Sequence, residues 1–311
     1  MRDLYTYIDE SLFDIDDNIE DIDYNICRMK IEKFIKNNFK GYKKCRISKR
    51  PNNEGKFEVS ASGEICTRLD RKNTLTSLTN GLFYWNDVEG NFKCDQCKFL
   101  KNLDGAPKKV GGDFSCRDCE NLESLIGSPE EVGRSFDCGY CTSLTTLKGC
   151  PEKINRDFVC YKCSSLTTLE DSPKEVGGGF DCGYCTSLKS LNGCPKKVGG
   201  DFNCSDCTKL ETLIGAPEEV GGGFECYWCD IKTLKGIPKK IGRDVSYNYC
   251  TRLRSLVGTP EKINGNLYIY GCESLISLNG MPKEITGDIY CDGLIEDDIR
   301  KICNVHGEIY S

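Results

Sequence analysis

The chain has 311 residues, with 32 glycines, 23 cysteines and a net charge of -6 from 42 basic and 48 acidic side chains. No run of Lys and Arg is long enough for a nucleic-acid stripe, so nucleic acid is not an expected partner. No apolar run approaches the roughly 18 residues that a membrane span needs. The opening MRDLYTYIDESLFD has no signal-type apolar stretch, which points to the cytoplasm, where thiols stay mostly reduced.

Residues 1–48 read as an acidic segment followed by a capping helix. The first 26 residues hold nine acids and one base, and residues 27–50 hold ten bases and one acid. Cys27, Ile31, Phe34 and Ile35 fall at i, i+4, i+7 and i+8, which predicts a short amphipathic helix. Residues 49–91 read as degenerate entry coils, because Leu75, Leu78, Gly81, Val88, Gly90 and Phe92 match the 22-residue unit downstream except for a two-residue insertion.

From 92 to 288 the chain repeats nine times with a period of 22. Phe92, Phe114, Phe136, Phe158, Phe180, Phe202 and Phe224 form one column, which resumes after a one-residue deletion at Val245, Leu267 and Ile289. The unit reads F-x-C-x-x-C-x-x-L-x-x-L-x-G-x-P-x-x-V-x-G-x. Phe114 and Cys116 alternate with Ser115 as in a strand, whereas Cys119, Leu122 and Leu125 advance in threes, as a chain turning round a core would. Gly127 and Pro129 mark a corner. One coil cannot offset the entropy of ordering its own backbone, so neighbouring coils must share a core and pair strand to strand. The two residues after each Pro support that register. From Lys108-Lys109 to Lys283-Glu284 the sign flips in six of eight steps down the first column and seven of eight down the second. Stacking about 4.8 Å apart would set opposite charges face to face.

Residues 289–311 complete the chain as a C-terminal cap, with a short helix expected over Glu296 to Asn304. The whole is expected to be a β-rich solenoid with little helix between its caps.

The string V-x-x-x-F-x-C-x-x-C-x-x-L resembles the leucine-rich repeat, with Phe114-x-Cys116 at its strand and Cys119 at its Asn/Cys ladder position. That resemblance implies a right-handed coil. The segment from Cys163 to Phe180 also resembles the bacterial surface-protein type of that repeat. Cys- and Gly-rich 22-residue repeats of this kind are similar to proteins of tailed bacteriophages. MRDLYTYIDES resembles the capsid-targeting peptide of T-even-type phage internal proteins, at Arg2, Leu4, Tyr7, Ile8 and Glu10. The resemblance implies cleavage between Glu10 and Ser11 and docking of residues 1–10 on a capsid or scaffold. An ordinary amphipathic start to a cap explains the same residues.

Consecutive C-x-x-C pairs lie 18 residues apart, a zinc-ribbon spacing, so a zinc-stabilised module is one reading. Buried structural thiols are the stronger one. Tyr247 and Ile269 replace the first cysteine while Cys250 and Cys272 persist, and packing tolerates such single losses where a four-thiolate site would not. No metal or other cofactor is therefore expected. His306 is the only histidine, so no Ser-His or Cys-His pair is built into the repeats, and no enzyme is expected. What remains is surface. Tyr140, Tyr161, Tyr184, Tyr227 and Trp228 lie inside C-x-x-C, Tyr249 and Tyr270 hold equivalent places, and Asp137, Asp181 and Glu225 flank them. An aromatic stripe with acidic edges suits recognition of a protein partner, whether as a free scaffold or as an internal or structural virion protein. Stacking that merely covers the coil edge is the alternative.

Overall fold

A computed structural model describes residues 22–68 and 74–311. The expected cleavage site, Glu10 and Ser11, and the other expectations for residues 1–21 lie outside that range. Among the described residues no helix is long and apolar enough to cross a membrane.

Each coil makes two short strands joined by tight corners. In one, Phe114–Ser115 carries the aromatic column and Glu131–Val132 the aliphatic one. Both strands pair in parallel with their equivalents one coil on, Phe114 opposite Phe136 and Val132 opposite Ile154, a pattern that lapses only between Lys240–Ile241 and Lys262–Ile263 among the described coils. The result is a parallel β-solenoid of about 11 turns, with one helix near each end.

The core is a set of columns. Phe92 to Phe224 are buried, and successive rings lie 5.0–5.9 Å apart between centroids. Val245, Leu267 and Ile289 continue the column, as the deletion-adjusted register requires. The cysteine and leucine columns are buried beside it. The charged columns sit on the outside and their alternation becomes ion pairs between coils. Lys109–Glu131, Lys153–Glu175, Lys197–Glu219 and Lys262–Glu284 are joined at 2.7–3.1 Å. Such exposed pairs contribute roughly 0–1 kcal/mol each, so they report register more than they hold it.

Glycine precedes most of the aromatic strands because the coils approach closely there. A Cβ on Gly199 would lie 2.0 Å from the Gly177 carbonyl oxygen. Beside it runs a polar column. Asp157 and Asp201 Oδ1 accept the backbone N–H of Gly179 and Gly223 in the following coil, at 2.8 and 2.7 Å.

At the N-terminal end, helix α1 (Ile22–Asn38) buries Ile31 and Ile35. Strand β1 (Phe39–Ile47) then runs antiparallel to β2 (Phe57–Thr67). Phe39 meets Trp85 and Phe92 at 5.6 and 5.8 Å, closing the first turn with aromatic rings. The entry also differs from ordinary coils in its second strand. The eleven residues of β2 serve two strands, pairing with Phe83–Val88 through Phe57–Ala61, with a register shift between Val59 and Ala61, and with Phe92–Lys93 through Ile65–Cys66. At the other end α2 (Glu296–Ile302) buries Ile299 and stands where the leucine segment of a coil would be. The chain then adds one further rung, Asn304–Val305 and Ile309–Tyr310, so the helix belongs to the last coil.

Candidate functional site

The candidate surface is built where the aromatic strand ends. After Phe-x-Cys the chain must turn sharply to bring the second cysteine back to the core. It does so by placing the residue before that cysteine in the left-handed region. Tyr140, Lys162, Tyr184, Asp206, Trp228 and Tyr249 all have φ between 54° and 62°. This conformation costs an L-residue about 1–2 kcal/mol. The cost is offset by a ladder, because each such N–H donates to a carbonyl of the next coil, as Tyr140 does to Tyr161 at 2.7 Å and Trp228 to Asn248 at 3.0 Å.

The second cysteine then has a polar task. Its thiol donates to the carbonyl oxygen of the first cysteine one coil earlier: Cys119 to Cys94, Cys141 to Cys116 and Cys163 to Cys138, each at 3.2 Å. Cys272 donates to Tyr247 in the same way at 3.1 Å. This explains why the second column keeps cysteine where the first accepts Tyr247 and Ile269. The first column offers less. Cys138 leans on the Val159 oxygen, which already accepts the Cys138 N–H. Burial pushes the thiols of Cys182, Cys204 and Cys207 well above the ordinary range, which favours the protonated donor over a thiolate. All the described cysteines are free thiols, and among the described residues no group of three or more metal-capable side chains converges.

Outside this ladder the aromatics fall into groups along the solenoid axis. Tyr161 lies 5.4 Å from Tyr140 and 5.2 Å from Tyr184. The Arg117 guanidinium lies over the Tyr140 ring at 4.4 Å, and the Lys162 amine at 5.1 Å. Ser205 and Asp206 interrupt the stripe. It resumes at Tyr227 and Trp228. Trp228 stacks on Tyr249 at 4.4 Å, and Tyr249 meets Tyr270 edge-on at 5.6 Å. Much of each ring is therefore spent on its neighbour. Trp228, Tyr270 and Tyr184 still expose 51, 46 and 39% of their surface, whereas Tyr140, Tyr161, Tyr227 and Tyr249 are half-buried.

The acids behave differently from one another. Asp137 is tied to Arg117 at 3.3 Å and accepts the Gly139 N–H. Asp181 accepts the Gly183 N–H at 2.9 Å and the Asn203 amide at 3.0 Å, yet burial still raises its pKa. Burial also raises that of Glu225, aided by Asp201, Asp181 and Asp244, and no ion pair reaches it among the described residues. A shallow cleft of about 550 Å³ is lined by Glu225, Tyr227, Ser246 and Tyr268, among others.

A further aromatic column escaped the motif reading. Tyr268, Tyr290 and Tyr310 stack at 4.8 Å with rings within 13° of parallel. They follow the core residues Leu267, Ile289 and Ile309, outside the C-x-x-C frame. Their shared register position is the signal that would have found them.

No family model, curated protein or solved structure is similar to this chain.

Proposed function

We propose that the chain is a non-enzymatic scaffold that binds a protein partner through its aromatic edge. The observation that carries this reading is the exposure of Trp228, Tyr270 and Tyr184 on a rigid backbone ladder. Large, preordered aromatic side chains dominate protein interfaces because they bury much area at little entropic cost. Acids at the edge, Glu225 above all, would add charge selectivity. The buried thiols and the single histidine at position 306 supply no nucleophile–base pair to this surface. A phage source and a cytoplasmic place of action belong to this proposal through the resemblance of the repeats.

The test is affinity capture by the full chain, by a Tyr184→Ala/Trp228→Ala/Tyr270→Ala variant and by a Lys153→Ala control. A partner retained by wild type and control and lost by the triple variant supports the reading. Equal retention by all three overturns it.

A further inference from the structure

The last rung of the stack is covered by a side chain where earlier rungs are covered by backbone. Asn304–Val305 and Ile309–Tyr310 each pair with the coil before them, and they are the last strands of the described chain. In the body of the stack, carbonyls of the aliphatic column turn to the next coil and meet an N–H there. Val110 O accepts from Gly133 at 2.8 Å and Ile285 O from His306 at 3.0 Å. Carbonyls at the following corner do the same, Gly112 O accepting from Arg134 and Gly287 O from Gly307, both at 3.1 Å. In the last rung these oxygens belong to Val305 and Gly307, and one guanidinium serves both. Arg300 Nη1 donates to Val305 O at 3.3 Å and Nη2 to Gly307 O at 3.4 Å. Glu296, one turn earlier in α2, holds the Arg300 Nε at 2.8 Å. Arg300 thus stands in for two backbone donors of a following coil.

The cover is partial. In the aromatic column it is the N–H that turns to the next coil: Phe114 N–H donates to Ser135 O and Ile289 N–H to Glu308 O, both at 2.9 Å. Ile309 takes that place in the last rung, and among the described residues its N–H has no such acceptor. Edges of this kind invite pairing with another chain, and lysine is a usual deterrent. The terminal strand at the other end, β1, exposes Lys40, Lys43, Lys44 and Arg46. Residues 302–311 contain neither Lys nor Arg, which leaves the task to Arg300.

The edge is complementary to itself. Residues 305–309 read Val-His-Gly-Glu-Ile. About a two-fold axis at Gly307, antiparallel pairing sets Val305 against Ile309 of a second copy and His306 against its Glu308. Val305 and Ile309 are buried, whereas His306 and Glu308 are exposed, so core-facing residues meet core-facing ones and an imidazole meets a carboxylate. The outward Ile309 N–H then meets Val305 O of the copy, the acceptor that Arg300 covers. Shifting one copy by a single residue would set Ile309 against exposed Asn304 or His306, on opposite faces of the sheet. His306 reaches Glu284 through Nε2 at 3.4 Å, which leaves Nδ1 for the new pair.

We propose that the last rung is a dormant two-fold interface for a second copy of this chain, held shut by the Arg300 guanidinium. With Arg300 withdrawn, the two strands of one rung lie on those of the other, and main-chain bonds join the stacks end to end. The same patch serves both copies, so the contact closes at two and builds no fibre. The interface is independent of the aromatic edge.

Sedimentation velocity of the full chain tests this. Wild type should run as a monomer and Arg300→Ala as a dimer at the same concentration. Arg300→Ala/Ile309→Pro removes the outward donor and should return to the monomer, and circular dichroism should show every variant folded. Adding His306→Cys and Glu308→Cys to Arg300→Ala should give a disulfide-linked dimer on oxidation, because directly opposed residues lie within disulfide reach. A monomeric Arg300→Ala overturns the proposal, as does a wild type that dimerises equally. A dimer that survives Ile309→Pro, or that the two new cysteines fail to cross-link, places the contact elsewhere and overturns it too. A ladder of larger assemblies makes the contact head-to-tail, with the same consequence.

Discussion

Two cysteines three residues apart do different work. Cys141 donates its thiol to the buried Cys116 carbonyl, whereas Cys138 approaches an oxygen already served by a backbone N–H. Both side chains have the same volume, so the comparison isolates the hydrogen bond. Cys141→Ala should therefore cost about 1–3 kcal/mol more than Cys138→Ala, the penalty for leaving a buried acceptor unmatched, as read from urea unfolding. Equal losses would reduce the second column to packing. Glu225 permits a test by pH. Its pKa is raised in the fold, so the native state holds its proton more tightly than the unfolded chain. Its contribution is then most favourable at acid pH and is lost as pH rises from the ordinary carboxylate range through the raised value. Glu225→Gln should raise the neutral-pH Tm slightly and flatten its fall across that window, with no gain at lower pH. At this scale the sequence disclosed which residues are buried but not what their polar atoms do. Hydrophobic spacing marks Cys141 as core without distinguishing a thiol that packs from one that donates. Nor do Tyr140 or Trp228 announce a left-handed turn, since neither is the Gly or Asn that usually signals one.

Among elements, the two strands of each coil are only two or three residues long and hold together through columns of close approach. Gly199→Ala inserts a methyl 2.0 Å from a carbonyl of the previous coil. It should cost about 1–3 kcal/mol, the range for overpacking, by denaturant unfolding, and an unchanged midpoint would mean the coils separate more easily than their ladders imply. Phe columns and alternating charges were legible because a fixed period turns one-dimensional spacing into three-dimensional contact. The entry was less so. Strand β1 pairs antiparallel and β2 serves two strands at once, and neither follows the 22-residue rule that made the rest readable. Strand pairing lapses between Lys240–Ile241 and Lys262–Ile263, the one step at which the second charged column fails to alternate. The candidate edge was legible in part. Tyr184, Trp228 and Tyr270 are exposed as placed, whereas the Tyr268, Tyr290 and Tyr310 column sat outside the motif that directed attention.

For the whole molecule, the account depends on coils that are interchangeable because each touches only its neighbours. Phe158 pairs with Phe180, which pairs with Phe202, in the same register. Removing residues 158–201, two whole coils, would join Asp157 to Phe202 and place Phe202 on Phe136, where Phe158 now lies. Stability in such stacks falls with the number of interfaces while the fold persists. The decisive measurement is urea unfolding, followed by circular dichroism, of this 44-residue excision beside one of 33 residues, 158–190. In-register stacking predicts a cooperative transition and a native-like spectrum for the first and an unfolded chain for the second. Equal tolerance of the two excisions would contradict it.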